Sequence, residues 1–320
     1  MDNLELKPED RVLILGGTGF IGKRLVSELT GKNIRLRLLV RNPSKVPTTI
    51  LKNKNIEIVR GDIVRGDGLK EAVRGIHTAY YLVHSMGSKS MRKSTEFARM
   101  DKSAAENFVN FADAAGVKRT IYLGGLGEVG KNLSAHLRSR DEVAEILSSG
   151  KLHATVLRAA VIIGAGSASF AMLKYLVERL RVMICPKWID TRIQPIAVKD
   201  VLAYLIGCLL NPDTAGKKFD IGGPEVLTYK EMIQQYTESV GIPKRIIFRT
   251  PVLSSRLASY WASLITPIPS GLAHPLIEGM KNEVVCIDDS ISEYIPIEKT
   301  PFKTAVKIAV SEKVKSASPP

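Results

Sequence analysis

The stretch Leu15-Gly16-Gly17-Thr18-Gly19-Phe20-Ile21-Gly22 joins a predicted strand to a predicted helix. Arg11–Leu15 is an apolar run typical of a buried strand, and the apolar residues of Phe20–Leu29 recur at helical spacing. Glycines at this spacing permit a sharp turn and close approach of the backbone to a pyrophosphate. A tight turn without a ligand is the alternative, which the strand–turn–helix context disfavours. We therefore predict that a dinucleotide contacts Gly16, Thr18, Gly19, Phe20, Ile21 and Gly22.

Strand-like and helix-like segments alternate through the first half of the chain. The later strand-like runs are Arg35–Val40, Ile56–Arg60, Thr78–Val83, Arg119–Leu123 and Ala154–Leu157. Alternation of this kind is typical of right-handed βαβ crossovers. We predict an α/β fold, a doubly wound and mostly parallel Rossmann sheet. Residues 1–165 would form the NAD(P)-binding Rossmann domain, residues 166–310 a smaller C-terminal substrate region partly threaded into the sheet, and residues 311–320 a flexible tail.

Composition limits the class of protein. The chain has 320 residues, of which 45% are hydrophobic and 24% charged, as in soluble globular proteins with a sizeable core. A net charge of +14 favours an anionic partner such as a phosphorylated cofactor. Aromatic residues make up only 6% and no dense Lys/Arg run occurs, so a nucleic-acid partner is not expected. Cys185, Cys208 and Cys286 are far apart, which predicts no disulfide framework, no metal site and a reducing, cytoplasmic location.

The second strand-like run indicates which dinucleotide binds. NAD sites usually have a carboxylate at the end of this strand, but here Arg41 follows it and Lys45 lies four residues later. Both cations fit a 2′-phosphate, so NADP(H) is preferred over NAD(H); an exposed basic loop is the alternative. Asp62 is predicted either to accept a hydrogen bond from adenine or to organise its turn. Ile63 and Leu82 lie near the ends of the third and fourth runs and are expected to line the same cleft.

Further pieces of sequence carry a family resemblance. They are LGGTGFIG (15–22), VRNPSK (40–45), GDI (61–63), LRAAVIIG (157–164) and AVKDV (197–201). With these pieces in this order, the chain resembles the extended or atypical short-chain dehydrogenase/reductases. YYLVHSM (80–86), GAGSASF (164–170) and LTYKEM (227–232) are similar to the branch that includes the accessory NADPH-binding subunit of respiratory complex I. The resemblance covers nearly the whole chain and implies a dinucleotide cofactor.

The same resemblance reveals a departure in the catalytic residues. Members of this family use a Ser near the fifth strand and a Tyr-x-x-x-Lys pair on the next helix, where Tyr is the acid. Here the fifth strand ends in Gly124-Gly125, and His136 and Arg140 stand in place of Tyr and Lys. Four residues apart, they share one face of the helix. His84, after the fourth strand, is a second candidate acid or a hydrogen-bonded structural histidine.

Three hypotheses for the activity follow from these residues. In the first, His136 donates a proton and Arg140 holds the ribose. In the second, hydride transfer to a quinone or an activated alkene needs no strong acid. Both describe a reductase of an apolar carbonyl, enone or quinone. In the third, NADP(H) is a structural or sensing ligand of a non-catalytic protein that docks on a complex or a membrane.

The stretch Leu257–Ile277 contains no charged residue. Three prolines break it, so a helix that spans a membrane is not expected. One interpretation is the wall or lid of a hydrophobic substrate pocket. The other is an interfacial patch for peripheral membrane contact through residues 257–277, with Tyr260 and Trp261 at headgroup depth.

Overall fold

The computed structural model of the chain describes residues 4–84, 94–127, 135–250, 265–268 and 270–317. Its strands are β1 (Arg11–Leu15), β2 (Arg35–Val40), β3 (Ile56–Arg60), β4 (Thr78–Tyr81), β5 (Arg119–Gly125), β6 (His153–Ala159), β7 (Ile162–Ile163), β8 (Val182–Pro186), β9 (Arg192–Ile193), β10 (Ile196–Ala197), β11 (Lys218–Ile221), β12 (Leu227–Thr228) and β13 (Ile246–Thr250). Its helices are α1 (Phe20–Gly31), α2 (Thr48–Leu51), α3 (Leu69–Val73), α4 (Ser94–Ala115), α5 (Ala135–Ser149), α6 (Ala168–Arg179), α7 (Val198–Leu210), α8 (Tyr229–Val240), α9 (Ser270–Gly279), α10 (Ile291–Tyr294) and α11 (Phe302–Ala317).

Seven strands form the central sheet in the order β11-β6-β5-β4-β1-β2-β3. Every neighbouring pair of strands in this sheet is parallel. The chain begins in the middle of the sheet with β1, moves outward to β3, and then returns to build the other half from β4. The predicted α/β, doubly wound sheet is confirmed. The reversal of strand order between β1 and β4 opens a crevice at the carboxyl ends of the strands.

Helices cover both faces of the sheet. The last four residues of β1 are fully buried, as expected for a strand that has helices on both sides. On one face α1 and α7 pack through residues such as Leu25 and Leu205. On the other face α3, α4 and α5 pack through residues such as Phe108 and Leu147.

A second, smaller core lies beyond the sheet. It is built by α6, α8, β8 and α11, with Phe170, Tyr236 and Val306 among its buried side chains. Next to it, β8 and β13 pair in parallel as a separate two-stranded ribbon. This core and the ribbon form the part of the molecule that faces the crevice from the C-terminal side.

A buried ion pair attaches β11 to the sheet. Arg158 on β6 lies opposite Asp220 on β11 and bonds Asp220 Oδ1 through Nε at 2.7 Å and Nη2 at 2.5 Å. The other carboxylate oxygen accepts hydrogen bonds from the backbone N–H groups of Ile287 at 3.1 Å and Asp288 at 3.4 Å. One carboxylate therefore connects the edge of the sheet to the chain segment that follows α9.

One boundary beyond residue 160 differs from the sequence prediction. The run Ile193–Ala197 predicts one strand, but the structure divides it into β9 and β10 because Pro195 between them has no N–H for a ladder. Residues 311–317 belong to α11, and a flexible tail at residues 311–320 stays a prediction. Upstream apolar residues such as Val306 and Ala309 pack into the second core and fix the helix from which these residues extend.

Arg119, the first residue of β5, closes the C-terminal end of α7. Its side chain is fully buried and donates to the carbonyl oxygens of Cys208 at 2.6 Å, Leu209 at 3.3 Å and Asn211 at 3.2 Å. The last carbonyls of a helix have no intrahelical donor and carry partial negative charge. The guanidinium donates hydrogen bonds to these carbonyls and places a positive charge beside them. It thereby holds the C-terminal end of α7 against the sheet.

We expect Arg119→Met to lower the free energy of unfolding by at least about 3 kcal/mol, because several buried carbonyls lose their donor. Denaturant unfolding followed by circular dichroism measures the change. Arg74→Ala, which removes an exposed arginine side chain, is the control and should shift stability by no more than about 0.5 kcal/mol. Equal stability of the two variants would contradict the capping role of Arg119.

Candidate functional site

Two glycines of the glycine-rich turn, Gly16 and Gly22, have no room for a side chain. Gly16 has a φ of +88°, in the left-handed region, and an added Cβ there would lie 2.7 Å from the carbonyl oxygen of Leu82. A Cβ on Gly22 would lie 2.2 Å from the carbonyl oxygen of Gly16. The N–H of Gly19 donates to that same oxygen at 2.9 Å, and α1 begins at the next residue. This cradle at a helix N-terminus fits a pyrophosphate. Of the other predicted motif residues, Thr18 is exposed, Phe20 half-buried and Ile21 buried.

Phe20 joins the glycine-rich turn to the loop of residues 164–166. An added Cβ on Gly164 would lie 3.0 Å from the Phe20 ring. Arg24 stacks 4.7 Å from the centre of that ring and donates to the carbonyl oxygen of Ala165 at 2.8 Å. It also bonds Glu312 on α11 at 3.0 Å. The loop that leads into the C-terminal region is therefore fixed against the start of α1.

Arg41 follows β2 directly, and its side chain is exposed. Within the described ranges it forms no ion pair, whereas Arg37 of the same strand is buried and bonds Glu57 at 2.8 Å. Asn42 orders the loop after Arg41, because its side chain accepts the N–H of Ser44 at 3.0 Å. The side chain of Lys45 lies outside the described residues. Arg41 is thus placed at the carboxyl end of β2 with its charge available to an anion.

Asp62 organises the turn after β3. Its Oδ1 accepts the N–H of Val64 at 2.9 Å, and its own N–H donates to the carbonyl of Asp67 at 3.0 Å. Asn107 on α4 fixes the same loop by donating to the carbonyls of Ile63 at 3.1 Å and Val64 at 2.9 Å. The loop is therefore preformed, with the Ile63 side chain buried. Contact between Asp62 and adenine stays a prediction.

A polar cluster lies at the carboxyl end of β4. His84 Nδ1 is 3.2 Å from Asp101 Oδ2 on α4, and the Ser139 hydroxyl on α5 is 3.5 Å from the same carboxylate oxygen. Asp101 and Ser139 are both buried. Because α4 and α5 pack side by side, the cluster fixes three elements at the edge of the sheet where cofactors bind in this fold.

Burial keeps His84 neutral. Burial and the nearby Arg140 guanidinium lower the pKa of His84 from 6.5 to about 4, against the raising effect of Asp101. At neutral pH its ring is a neutral imidazole, which forms hydrogen bonds but has no imidazolium proton to give. This favours a positioning role for His84 over the role of a charged acid.

Arg140 lies beside the end of β5. Its Nη1 donates to the carbonyl of Leu123 at 3.2 Å, and its Cγ lies 3.5 Å from where a Cβ on Gly125 would be. The Tyr122 hydroxyl donates to the Arg140 carbonyl at 3.3 Å. No acceptor among the described residues reaches the buried Nε of Arg140. The guanidinium is therefore held next to the crevice with hydrogen-bonding capacity still available.

The backbone of His136 belongs to the first turn of α5, but its side chain lies outside the described residues. Gly124 and Gly125 occupy the place of the family serine, so no side-chain hydroxyl is supplied there. The proposed roles of His136 and Arg140 in catalysis stay predictions.

Asp101 was not predicted from the sequence as a site residue, although its position in the apolar pattern of α4 indicates one. Asp101 falls on the buried face of this helix together with Ala104, Ala105 and Phe108. Carboxylates are rarely buried unless they are paired, so an acidic residue at such a position indicates a polar partner across the interface. His84 is that partner.

An apolar cavity of about 450 Å³ lies beyond the sheet. Its walls come from α6, β8, α8 and α9, and no charged side chain of the described residues lines it. Val161 and Ser169, on either side of the 164–166 loop, are part of the lining. Helix α9, one wall of the cavity, also packs against α5, the helix of His136 and Arg140. Flexible methionine side chains make the walls adaptable: Met172, Met183, Met232 and Met280.

Few polar groups line this cavity. The indole Nε1 of Trp188 is buried, and no acceptor in the described part of the chain reaches it. Burial raises the pKa of the Cys185 thiol, another lining group, to about 11, so it stays protonated. A buried N–H without an acceptor is costly, and an oxygen on an otherwise apolar ligand would satisfy it.

Residues 265–268 and 270–277 are the described part of the uncharged stretch Leu257–Ile277. Of these residues, Ile265, Leu276 and Ile277 line the cavity, while Ile268 and Ala273 are buried beside it. The described part is therefore a pocket wall, and Tyr260 and Trp261 lie outside it. No helix within the described ranges combines the length and the apolarity needed to cross a bilayer.

The glycine-rich turn lies at the start of a match to a known family. Residues 16–166, just under half of the chain, match the model of the NAD(P)H-binding family. The resemblance to NAD(P)-binding short-chain dehydrogenase/reductases is thereby confirmed. A solved nucleoside-diphosphate-sugar epimerase from Staphylococcus aureus superposes with a TM-score of 0.73 over 93% of this chain and 99% of its own. At 20% identity, that likeness shows the fold alone.

Curated relatives are similar over different parts of the chain. A ceramide reductase of Caulobacter vibrioides is 27% identical over 82% of this chain and 81% of its own length. The mitochondrial NADH dehydrogenase [ubiquinone] 1 alpha subcomplex subunit 9 of Arabidopsis thaliana is 21% identical over 82% of this chain and 66% of its own length. A 3β-hydroxysteroid dehydrogenase/isomerase of Mycobacterium tuberculosis is 32% identical, but the match spans only 30% of that protein and 35% of this chain.

We expect Gly22→Ala to abolish dinucleotide binding, because the new methyl group would meet the Gly16 carbonyl oxygen at 2.2 Å. Gly31→Ala is a matched control at the other end of α1, where an added Cβ meets nothing within 4 Å. Fluorescence titration with NADPH measures both variants. Normal binding by Gly22→Ala would show that the turn is not the pyrophosphate cradle.

We expect His84 to make stability depend on pH between 6.5 and about 4. In that range the unfolded chain takes up a proton at His84 and the folded chain does not, so stability falls as pH falls. Denaturant unfolding across the range should show a shallower decline for His84→Asn than for the parent. His274→Asn removes a more exposed imidazole as the control. An unchanged decline in His84→Asn would disprove the lowered pKa.

Proposed function

We propose that the protein is an NADP(H)-dependent reductase of an apolar carbonyl, enone or quinone that works without the family Tyr–Lys pair. The observation that carries this proposal is the apolar cavity of about 450 Å³ next to the loop that packs on the glycine-rich turn. A substrate in that cavity would lie beside the carboxyl ends of the strands, where ligands bind in open α/β sheets. A cavity whose described lining residues carry no charge favours an apolar molecule over a sugar nucleotide.

Residues in the cleft divide the binding of NADP(H) among them. Gly16, Gly19 and Gly22 would hold the pyrophosphate, and Arg41 with Lys45 would hold the 2′-phosphate through charge-assisted hydrogen bonds. Asp62 would meet adenine. NADPH supplies a hydride when bound, and the chain supplies orientation and a water-poor surface. The exposed guanidinium of Arg41, which forms no ion pair with the described residues, supports the choice of NADP(H).

The proton that accompanies the hydride has two candidate sources. His136 stands at the position of the family acid, with Arg140 one turn away to hold the ribose. If the substrate is a quinone or an activated alkene, a neutral hydrogen-bond donor is sufficient and the final proton comes from water. The lowered pKa of His84 makes it the positioning group in either case.

The likeness to a ceramide reductase over 82% of the chain supports an apolar substrate, since the relative's name describes reduction of a lipid. Trp188 supports it independently, because its buried N–H is suited to an oxygen atom on a largely apolar ligand. Peripheral membrane contact through residues 257–277 stays a proposal that suits such a substrate, as does a cytoplasmic location.

The alternative is a non-catalytic NADP(H)-binding structural or sensor protein. The observation that favours it is the pair Gly124-Gly125 in place of the family serine, together with the loss of the Tyr–Lys pair. Under this alternative, the cofactor stabilises a docking surface and the cavity holds a ligand without turnover.

Paired titrations with NADPH and NADH test the cofactor. Arg41→Ala should weaken NADPH binding by about tenfold to a hundredfold, since one charge-assisted contact is lost, and should leave NADH binding unchanged. Arg74→Ala is the control. If Arg41→Ala weakens both cofactors equally or neither, Arg41 does not read the 2′-phosphate.

Oxidation of NADPH in the presence of long-chain ketones, enones and quinones tests the activity. Turnover by the parent that falls in His136→Ala supports proton donation by His136. If the turnover rate of His136→Ala equals that of the parent, hydride transfer without a protein acid is supported. If NADPH binds but no member of the panel is reduced, the non-catalytic alternative gains and the reductase proposal fails for these classes.

A further inference from the structure

The ribbon formed by β8 and β13 exposes four large apolar side chains on its outer face. They are Val182, Ile184, Ile246 and Phe248, with exposed fractions of 50%, 64%, 56% and 58%. Ile246 lies directly opposite Val182, and Phe248 directly opposite Ile184. The four side chains therefore form one contiguous patch, called here the ribbon face. Patches of this kind mark interaction sites more often than isolated surface hydrophobics do.

Strand β8 joins the ribbon face to the apolar cavity. Met183 and Cys185, which alternate with the exposed residues along β8, are buried and line the cavity. Val182 and Ile184 of the ribbon face line it as well, so the ribbon face reaches the cavity at this strand. What occupies the ribbon face would therefore lie at the edge of the cavity.

Basic residues surround the ribbon face. The segments 179–190 and 244–250 contain six cationic residues and one acidic residue, Asp190. Arg181 and Lys244 precede the two strands, and Lys187 follows β8. Arg249 pairs with Asp190 at 2.8 Å, and Lys244 lies 3.9 Å from Glu238, whereas Arg181 and Lys187 are exposed cations next to the ends of β8. An apolar patch with a cationic rim at both ends is complementary to the surface of an anionic lipid bilayer.

We propose that the ribbon face docks on the surface of an anionic membrane, with Ile184 and Phe248 inserted among the lipid headgroups and the basic rim held by the lipid charges. The proposal does not depend on the proposed reductase activity. It is also separate from residues 257–277, whose described part lines the cavity. Docking would bring the wall of the apolar cavity against the lipid bilayer, in which apolar molecules are concentrated.

Charge argues against a second copy of this chain as the occupant. A two-fold dimer through the ribbon face would bring two cationic rims together, because a two-fold interface joins the same surface of both subunits. Like charges placed opposite each other across an interface are unfavourable. The rim therefore selects an anionic partner.

Vesicle flotation with the full chain tests the proposal. The parent should float with vesicles made of equal parts phosphatidylcholine and phosphatidylserine, and should float poorly with phosphatidylcholine alone. Ile184→Ser with Phe248→Ser should weaken binding by about a hundredfold, because both side chains lose their apolar contact. The matched control is Leu210→Ser with Ile287→Ser, two exposed apolar residues elsewhere, which should bind like the parent.

A charge variant gives a second, independent readout. Arg181→Glu with Lys187→Glu should weaken binding to the phosphatidylserine vesicles by about tenfold or more, and added salt should weaken binding of the parent. NADPH titration of every variant checks that the nucleotide domain is intact. Equal flotation of the parent and the ribbon variant would overturn the proposal, as would no flotation of the parent. A third result would also overturn the proposal: the parent is a dimer and Ile184→Ser with Phe248→Ser makes it a monomer. A second copy of the chain would then cover the ribbon face.

Discussion

The buried ion pair of Arg158 and Asp220 joins the edge of the central sheet to the chain segment that follows α9. Burying both charges is costly, and it is repaid here because both Asp220 oxygens are hydrogen-bonded, one to the guanidinium and one to backbone N–H groups. The Asp220 carboxylate therefore contacts both the central sheet, which holds the glycine-rich turn, and the segment after α9. It contributes to the relative position of cradle and cavity together with Arg24, which bonds the 164–166 loop and α11.

Much of the nucleotide domain could be predicted from sequence because its signals are local. The strands β1, β2 and β3 have the boundaries that their apolar runs predict. The glycine spacing at Gly16 and Gly22 reflects backbone contacts that exclude any side chain, and such contacts leave a direct trace in the sequence. The match to the NAD(P)H-binding family begins in the same stretch, at residue 16.

The rest depends on contacts between residues far apart in the chain. The cavity is lined from α6, β8, α8 and α9, and no single segment of sequence indicates that these walls meet. The polar cluster of His84, Asp101 and Ser139 likewise joins three elements, so the lowered pKa of His84 could not be inferred from its neighbours in sequence. Ribbon residues such as Ile184 and Phe248 read as ordinary strand residues until the fold shows which face they occupy.

Arg24 has a consequence for how the protein is made. This residue holds the 164–166 loop and also Glu312, which lies 288 positions later in the chain. On a ribosome, Arg24 therefore emerges long before Glu312 does. The nucleotide domain can acquire its early strands during translation. The bond from Arg24 to the 164–166 loop can form before α11 is made, and the bond to Glu312 is added once α11 has been synthesised.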